Sequence, residues 1–173
     1  MRTQNKKVPE FWANNKPAKG YGSLHTDGQN LYSYNLKIGF TKDDGQKILL
    51  VRKRSVTTTK HINYVRRFAN EIVNVDIFEK FVKELRSGKY VQVFYGLRDK
   101  NKNDCFCASG LLAILCYKNI FKKYSFNDFL TESFWDKYNF SESFTNYLVR
   151  LNDYNHYSFT EIANILEKEY LLA

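Results

Sequence analysis

Proline, glycine and cysteine are scarce in this sequence of 173 residues, which contains 2 Pro, 8 Gly and 3 Cys. Because 43% of the residues are hydrophobic and 17% are aromatic, the composition excludes a disordered chain. An odd number of cysteines argues against a secreted disulfide framework. Long apolar runs are also lacking, so we expect neither a signal peptide nor a membrane span. These absences predict a globular, cytoplasmic protein that does not bind membranes.

Positive charge is concentrated in the first 70 residues, which contain 14 Lys and Arg against 4 Asp and Glu. Residues 71–173 contain 13 against 14, so the two parts carry net charges of +10 and −1. A surplus of this size exceeds what solubility requires. The first part is therefore expected to face a polyanionic partner, and the second to behave as an ordinary globular domain.

The first part is predicted to consist of a basic arm, a β-hairpin and a helix. Residues 1–20 contain both prolines and predict an irregular arm that Phe11 and Trp12 anchor. The elements after it are a strand over 31–41, a turn at Asp43-Asp44-Gly45, a returning strand over 47–52 and a helix over 60–72. Alternation in the first strand places four residues on its apolar face: Tyr32, Tyr34, Leu36 and Ile38.

The second part reads as mainly helical. Its predicted elements are a capped helix from Asp76, a short extended stretch over 89–94, a buried helix over 106–117, and helices that begin at Ser125, Ser141 and Ser158. The fold class is α+β, with an N-terminal β-hairpin plus helix unit packed beside a mainly helical C-terminal domain. The predicted divisions are a basic arm over 1–20, a basic α/β module over 21–72 and a helical domain over 73–173.

Basic residues at the end of the second strand and on the following helix are the candidate nucleic-acid-binding site. Helical spacing places Lys60, Tyr64 and Arg67 on one face, opposite the apolar stripe. Cations there could bind phosphates and the tyrosine could stack on a base. A solvated surface is the alternative interpretation of such a charged run. The candidate residues are Arg52, Lys53, Arg54, Lys60, Tyr64, Arg66 and Arg67.

Catalytic and metal-binding patterns are weak. The histidines His25, His61 and His156 are scattered and match no nucleophile or zinc signature. The three cysteines, Cys105, Cys107 and Cys116, lack paired C-x-x-C spacing, so we expect them to be buried apolar side chains. We predict no catalytic residue, no metal and no cofactor. A metal-independent nuclease that uses His61 or His25 is a third functional alternative.

Two stretches resemble segments of bacteriophage proteins. The run Gly22-Ser23-Leu24-His25-Thr26-Asp27-Gly28 leads into Leu31-Tyr32-Ser33-Tyr34, and Thr57-Thr58-Thr59-Lys60-His61-Ile62-Asn63 follows later. This pattern is similar to a short module of phage and mobile-element proteins. In the second part, Leu85-Arg86-Ser87-Gly88-Lys89-Tyr90, Gln92, Gly96-Leu97-Arg98, Leu151-Asn152-Asp153 and Ser158-Phe159-Thr160-Glu161-Ile162-Ala163 resemble another phage-borne family. The chain departs from that family's Cys-rich "CCLGVL" motif at 105–110.

The resemblance implies a small phage or prophage accessory protein in the host bacterial cytoplasm, a class that commonly modulates restriction and CRISPR defence. We therefore expect a non-enzymatic counter-defence protein, such as an anti-CRISPR. Its basic part would bind nucleic acid or a ribonucleoprotein complex of the host, for example a CRISPR effector with its guide RNA. The alternative is a protein-binding adaptor or inhibitor that acts through its aromatic C-terminal helices. The sequence leaves the oligomeric state open.

Overall fold

The computed structural model describes residues 2–52, 54–95, 105–116, 135 and 137–171. The chain divides into two compact units, Met1–Val75 and Asp76–Ala173. A β-sheet with helices in the first unit and a mainly helical second unit confirm the α+β class. The division at Val75 lies three residues beyond the predicted boundary at 72.

The first unit is built on a seven-stranded sheet whose strands follow one another in chain order. Strands β2 to β6 pair antiparallel, whereas the outer pairs β1–β2 and β6–β7 are parallel. The strands are β1 (Arg2–Thr3), β2 (Ala18–Gly20), β3 (Leu24–Thr26), β4 (Asn30–Ser33), β5 (Leu36–Thr41), β6 (Lys47–Val51) and β7 (Glu71–Asn74). The predicted hairpin at Gly45 is confirmed, with that glycine at a φ of 86°.

The predicted irregular arm is wrong, because residues 2–20 are part of this unit. They form β1, a 3₁₀ turn (Asn5–Lys7), helix α1 (Val8–Ala13) and β2. Trp12 is fully buried in the core, and its indole N–H donates to the Gln29 carbonyl at 3.1 Å. Burial of an indole contributes enough hydrophobic free energy to fix such a segment.

The predicted strand over 31–41 is two strands, because the chain reverses at Tyr34. Tyr34 has a φ of 56°, and the reversal joins β4 to β5. The register between β4 and β5 shifts after Leu31, because Ile38 of β5 has no partner there. Alternation along β4 buries Leu31 and Ser33 on one side, and Tyr32 lies on the opposite face. The predicted apolar face of β4 is thus inverted.

The predicted helix over 60–72 begins and ends earlier. Helix α2 spans Val56–Val65, because the Ser55 side chain accepts from the Thr58 N–H and caps it. A 3₁₀ turn (Arg66–Phe68) follows, and 71–74 pair with β6 as β7. The apolar residue at 72 therefore belongs to a strand, which non-local pairing stabilises, and the one at 69 lies between the 3₁₀ turn and that strand.

The second unit contains four helices in its described part: α3 (Val75–Leu85), α4 (Ala108–Cys116), α5 (Glu142–Val149) and α6 (Phe159–Tyr170). A π-helical turn (Arg150–Tyr154) follows α5, and strands β8 (Val91–Gln92) and β9 (Cys105–Phe106) pair parallel. The predicted caps at Ser141 and Ser158 are confirmed, the second as a capping box with Glu161. The helix predicted from Ser125 lies outside the described residues.

The core of the second unit is aromatic. The rings of Phe78, Phe144 and Tyr170 lie 5.4–5.9 Å apart, and Phe140 stacks on Phe144. Across the described ranges, none of the helices has the length and apolarity needed to cross a membrane.

We predict that Trp12→Ala lowers the free energy of unfolding by about 3–5 kcal/mol, because the substitution opens a cavity beneath the sheet. Urea unfolding followed by circular dichroism measures this difference. Tyr21→Ala is the control, since Tyr21 is 76% exposed and its truncation should change stability little. Equal effects of the two substitutions would mean that 2–20 is an independent arm after all.

Candidate nucleic-acid interface

The predicted basic residues fall into two groups at the ends of α2. Arg52 and Arg54 precede its N-terminus, the first half-buried and the second exposed. Lys53 lies outside the described residues. Arg66 and Arg67 follow the C-terminus, and a helix of ten residues is about 15 Å long. The structure therefore separates the two groups along α2, with the exposed Lys60 between them.

The residues at the C-terminal end also have structural roles. The guanidinium of Arg67 lies 4.8 Å from the Phe68 ring centroid and 4.0 Å from the Glu10 carboxylate. Cations beyond a helix C-terminus are favourable to the helix dipole. Tyr64 is half-buried and packs against the core, so its ring is partly occupied. The packing of Tyr64 weakens the case for it as a stacking partner. Arg67 is still exposed despite its two contacts.

His61 lies inside the unit, within a chain of polar groups. The Gly22 N–H donates to Asn5 Oδ1 at 3.1 Å, which turns the amide nitrogen of Asn5 toward His61 Nε2 at 3.2 Å. An amide nitrogen can only donate, so His61 Nε2 accepts this hydrogen bond. The proton of the neutral ring is then on Nδ1, which donates to Ser33 Oγ at 2.8 Å. The Ser33 hydroxyl donates onward to Thr58 Oγ1 at 3.4 Å.

This network holds His61 neutral. Burial lowers its pKa, and the neighbouring Lys60 lowers it further. Both ring nitrogens are used for contacts that join the 3₁₀ turn of Asn5, strand β4 and helix α2. In this arrangement Ser33 Oγ accepts a hydrogen bond from the ring and donates its own proton to Thr58 Oγ1, away from His61. The geometry is that of a structural histidine, which is not arranged as a general base toward Ser33.

We predict that the protein loses stability as the pH falls below about 7, partly through His61. An unfolded histidine has a pKa of about 6.5, so as the pH is lowered the unfolded chain binds a proton at a higher pH than folded His61 does. The free energy of unfolding therefore decreases as the pH decreases. Urea unfolding at pH 5 to 8 should show this slope, and His61→Gln should reduce it. Identical slopes for the two proteins between pH 5 and 7 would contradict the assignment.

A second basic surface, absent from the predicted set, lies on one face of the sheet, over strands β1 to β5. Helices α1 and α2 contribute Val8, Trp12 and Ile62 to the core on the opposite face. Residues paired directly across neighbouring strands point to the same face. The register from β1 to β5 places five such residues in one row, which we call the sheet-face row: Arg2, Lys19, His25, Tyr32 and Lys37.

Within the sheet-face row the two aromatic rings are stacked. The rings of His25 and Tyr32 lie 5.1 Å apart at an interplanar angle of 15°. Arg2 and Lys19 are exposed, and the other three are half-buried. Lys37 Nζ lies 5.7 Å from the Phe40 ring centroid. The sequence signal for this row is alternation, because Lys19, His25 and Tyr32 each follow a buried residue.

The residues of the second phage-like pattern form a polar network in the second unit. Asn152 is fully buried, and its Oδ1 accepts from Gln92 Nε2 at 2.9 Å and the Ala108 N–H at 3.2 Å. Its Nδ2 donates to the Val93 carbonyl and to Asp153 Oδ1. Asn152 thus joins β8, α4 and the π-helical turn, which is an architectural role.

Two of the three thiols, those of Cys105 and Cys107, lie in β9 and just before α4, next to this network. Cys105 and Cys107 are buried, as predicted, and Cys116 is half-buried. Burial raises the pKa of Cys107 to about 11, so the thiol is protonated at neutral pH. Within the described ranges, His, Cys, Asp and Glu side chains form no group of three that could hold a metal ion.

An exposed aromatic cluster lies beside this network. Phe94 and Tyr95 contact the ring of His156 edge-on, with centroids 5.0 and 5.9 Å away. Tyr95 and His156 both have positive φ, of 59° and 54°. Tyr95 is 72% exposed. Left-handed backbone at two contacting non-glycine residues is uncommon and is found at binding sites.

No family model, curated protein or solved structure matches this chain.

Proposed function

We propose that this chain is a phage or prophage counter-defence protein of the host bacterial cytoplasm. It binds nucleic acid, or a host complex that carries nucleic acid such as a CRISPR effector with its guide RNA, and blocks it without catalysis. The phage origin comes from the sequence resemblance. The nucleic-acid binding comes from the charge of the first unit.

The observation that carries the proposal is the segregation of charge into one compact unit. The first 70 residues have a net charge of +10, and they fall within Met1–Val75. Exposed cations lie at both ends of α2 and in the sheet-face row, at Arg2 and Lys19. A unit with this potential attracts polyanions over a Debye length and can neutralise several phosphates on contact.

We predict that binding of a fluorescein-labelled 20-nucleotide RNA weakens steeply between 50 and 300 mM NaCl, because each neutralised phosphate releases counterions. Fluorescence anisotropy measures the affinity. Arg54→Glu with Lys60→Glu should weaken binding about tenfold or more and flatten the slope of log affinity against log salt.

The matched control is Lys80→Glu with Lys83→Glu, two exposed residues of α3 in the second unit whose reversal changes the net charge equally. This control should retain most of the affinity. A flat salt dependence of the unmodified protein would contradict nucleic-acid binding. Equal losses in the two double variants would contradict binding through the residues of α2 and its ends.

The exposed aromatic cluster favours a second candidate, a protein-binding adaptor or inhibitor. Tyr95 of this cluster and Tyr154 of the π-helical turn are 72% and 74% exposed, and tyrosine is enriched in the energetic centres of protein interfaces.

Affinity capture from a bacterial lysate, with and without nuclease treatment, distinguishes the two candidates. Under our proposal, capture is lost after nuclease treatment and is also lost when the bait carries Arg54→Glu and Lys60→Glu. A bait with Tyr95→Ser and Tyr154→Ser should still capture the material. An adaptor predicts the reverse: capture survives nuclease and is lost in the tyrosine variant, since the aromatic contacts then carry the affinity.

A further inference from the structure

We infer that the sheet-face row is a binding site for single-stranded nucleic acid, with cations at its ends for phosphates and an aromatic pair for bases. This inference rests on the proposed function and specifies both its surface and its ligand. The row is a different surface from the residues at the ends of α2. It consists of Arg2, Lys19, His25, Tyr32 and Lys37.

The row has the dimensions of a short nucleic-acid segment. Five side chains on five adjacent strands span four inter-strand spacings, about 19 Å at ~4.8 Å each. This length corresponds to at most about six nucleotides at ~3.4 Å per nucleotide along one strand. Single domains that bind single strands have sites of about 4–16 nucleotides. The sheet is therefore wide enough to hold a useful length of strand.

The cations of the row are placed where an anion would be favourable. Arg2 and Lys19 are direct partners in the parallel register of β1 and β2, and both are exposed. Like charges directly opposite on a sheet repel each other. In the described part of the chain, neither has a carboxylate within 4 Å. A phosphate between the two side chains would convert this repulsion into two charge-assisted contacts.

The aromatic pair explains why the ligand is single-stranded. His25 and Tyr32 stack on each other at 5.1 Å and remain half-exposed beside the cations. Bases of a duplex are already stacked and paired, so they offer no free faces to such a pair. Bases of a single strand are free to stack on aromatic side chains, with little dependence on sequence. A surface that bound its ligand through charge alone would not need these two aromatic rings.

The test compares three labelled probes with the full chain: a 15-nucleotide oligo(U) RNA, a 15-nucleotide oligo(dT) DNA and a 15-base-pair DNA duplex. We expect both single strands to bind more tightly than the duplex at the same salt concentration. His25→Ala with Tyr32→Ala should weaken single-strand binding about tenfold or more, because stacking surface is lost. Its effect on residual duplex binding should be small.

Two further variants separate stacking from folding. Tyr32→Phe keeps the ring face and should bind as the unmodified protein does. Lys19→Glu changes an exposed side chain, so it should leave the circular dichroism spectrum and thermal midpoint unchanged. It should nevertheless weaken binding of both single strands and lower their salt slope by about 0.7 or more. The matched control Lys80→Glu, with the same change of charge in the second unit, should have a much smaller effect.

The outcomes distinguish this inference from the proposed function. If the chain binds nucleic acid but the Lys19→Glu and His25→Ala/Tyr32→Ala variants retain full affinity, the sheet-face row is not the site and the proposed function stands. Tighter binding of the duplex than of both single strands would also overturn the inference. If none of the three probes binds with a salt-dependent affinity, both the inference and the direct nucleic-acid form of the proposed function fail.

Discussion

The indole of Trp12 packs beneath the sheet of the first unit, where a Cβ added to Gly39 would lie 3.2 Å from the nearest ring atom. The ring is fully buried, its N–H is satisfied by a backbone carbonyl, and α1 and α2 cover the same face around it. This covering determines the role of each strand residue in β2 to β4. Those that face Trp12 form the core, and those of opposite parity form the basic and aromatic surface. In β5 and β6 the opposite face is buried as well, since Phe40, Ile48 and Leu50 are at most 5% exposed.

Buried polar groups in each unit are tied into networks that join distant segments. His61 links the 3₁₀ turn at Asn5 to β4 and α2, and Asn152 links β8, α4 and the π-helical turn. Leaving one such group unsatisfied costs more than a hydrogen bond contributes, so these contacts fix the relative positions of their partners. Both residues belong to the phage-like patterns in the sequence. Their geometry gives those motifs an architectural explanation.

Local signals allowed several elements to be predicted. The capped helices at Ser141 and Ser158 and the turn at Gly45 depend on interactions within a few residues, which the sequence shows directly. The predicted helix over 60–72 and the predicted single strand over 31–41 were wrong because interactions other than the local apolar spacing determine the structure there. Pairing of 71–74 with β6 and the left-handed turn at Tyr34 overrode the apolar spacing.

The same distinction applies to the candidate site. Charge is a sum over the chain, so its concentration in the first unit could be predicted from composition. The sheet-face row depends on the register of five strands, and register is a property of pairing that a single sequence does not show. The predicted strands accordingly do not include His25, which lies on β3 and stacks on Tyr32.

The cationic side chains of the first unit differ in the partners that surround them. Lys47 is buried, where its ammonium group donates to Thr41 Oγ1 at 2.7 Å and lies 5.2 Å from the Trp12 ring centroid, and burial lowers its pKa. Arg67 is held by Phe68 and Glu10 beyond α2. These two cations have partners that the fold supplies. Arg2 and Lys19 are instead exposed register partners on β1 and β2, and like charges at such positions repel each other. Because an anion would remove that repulsion, this pair is stronger support for a phosphate ligand than the total charge is.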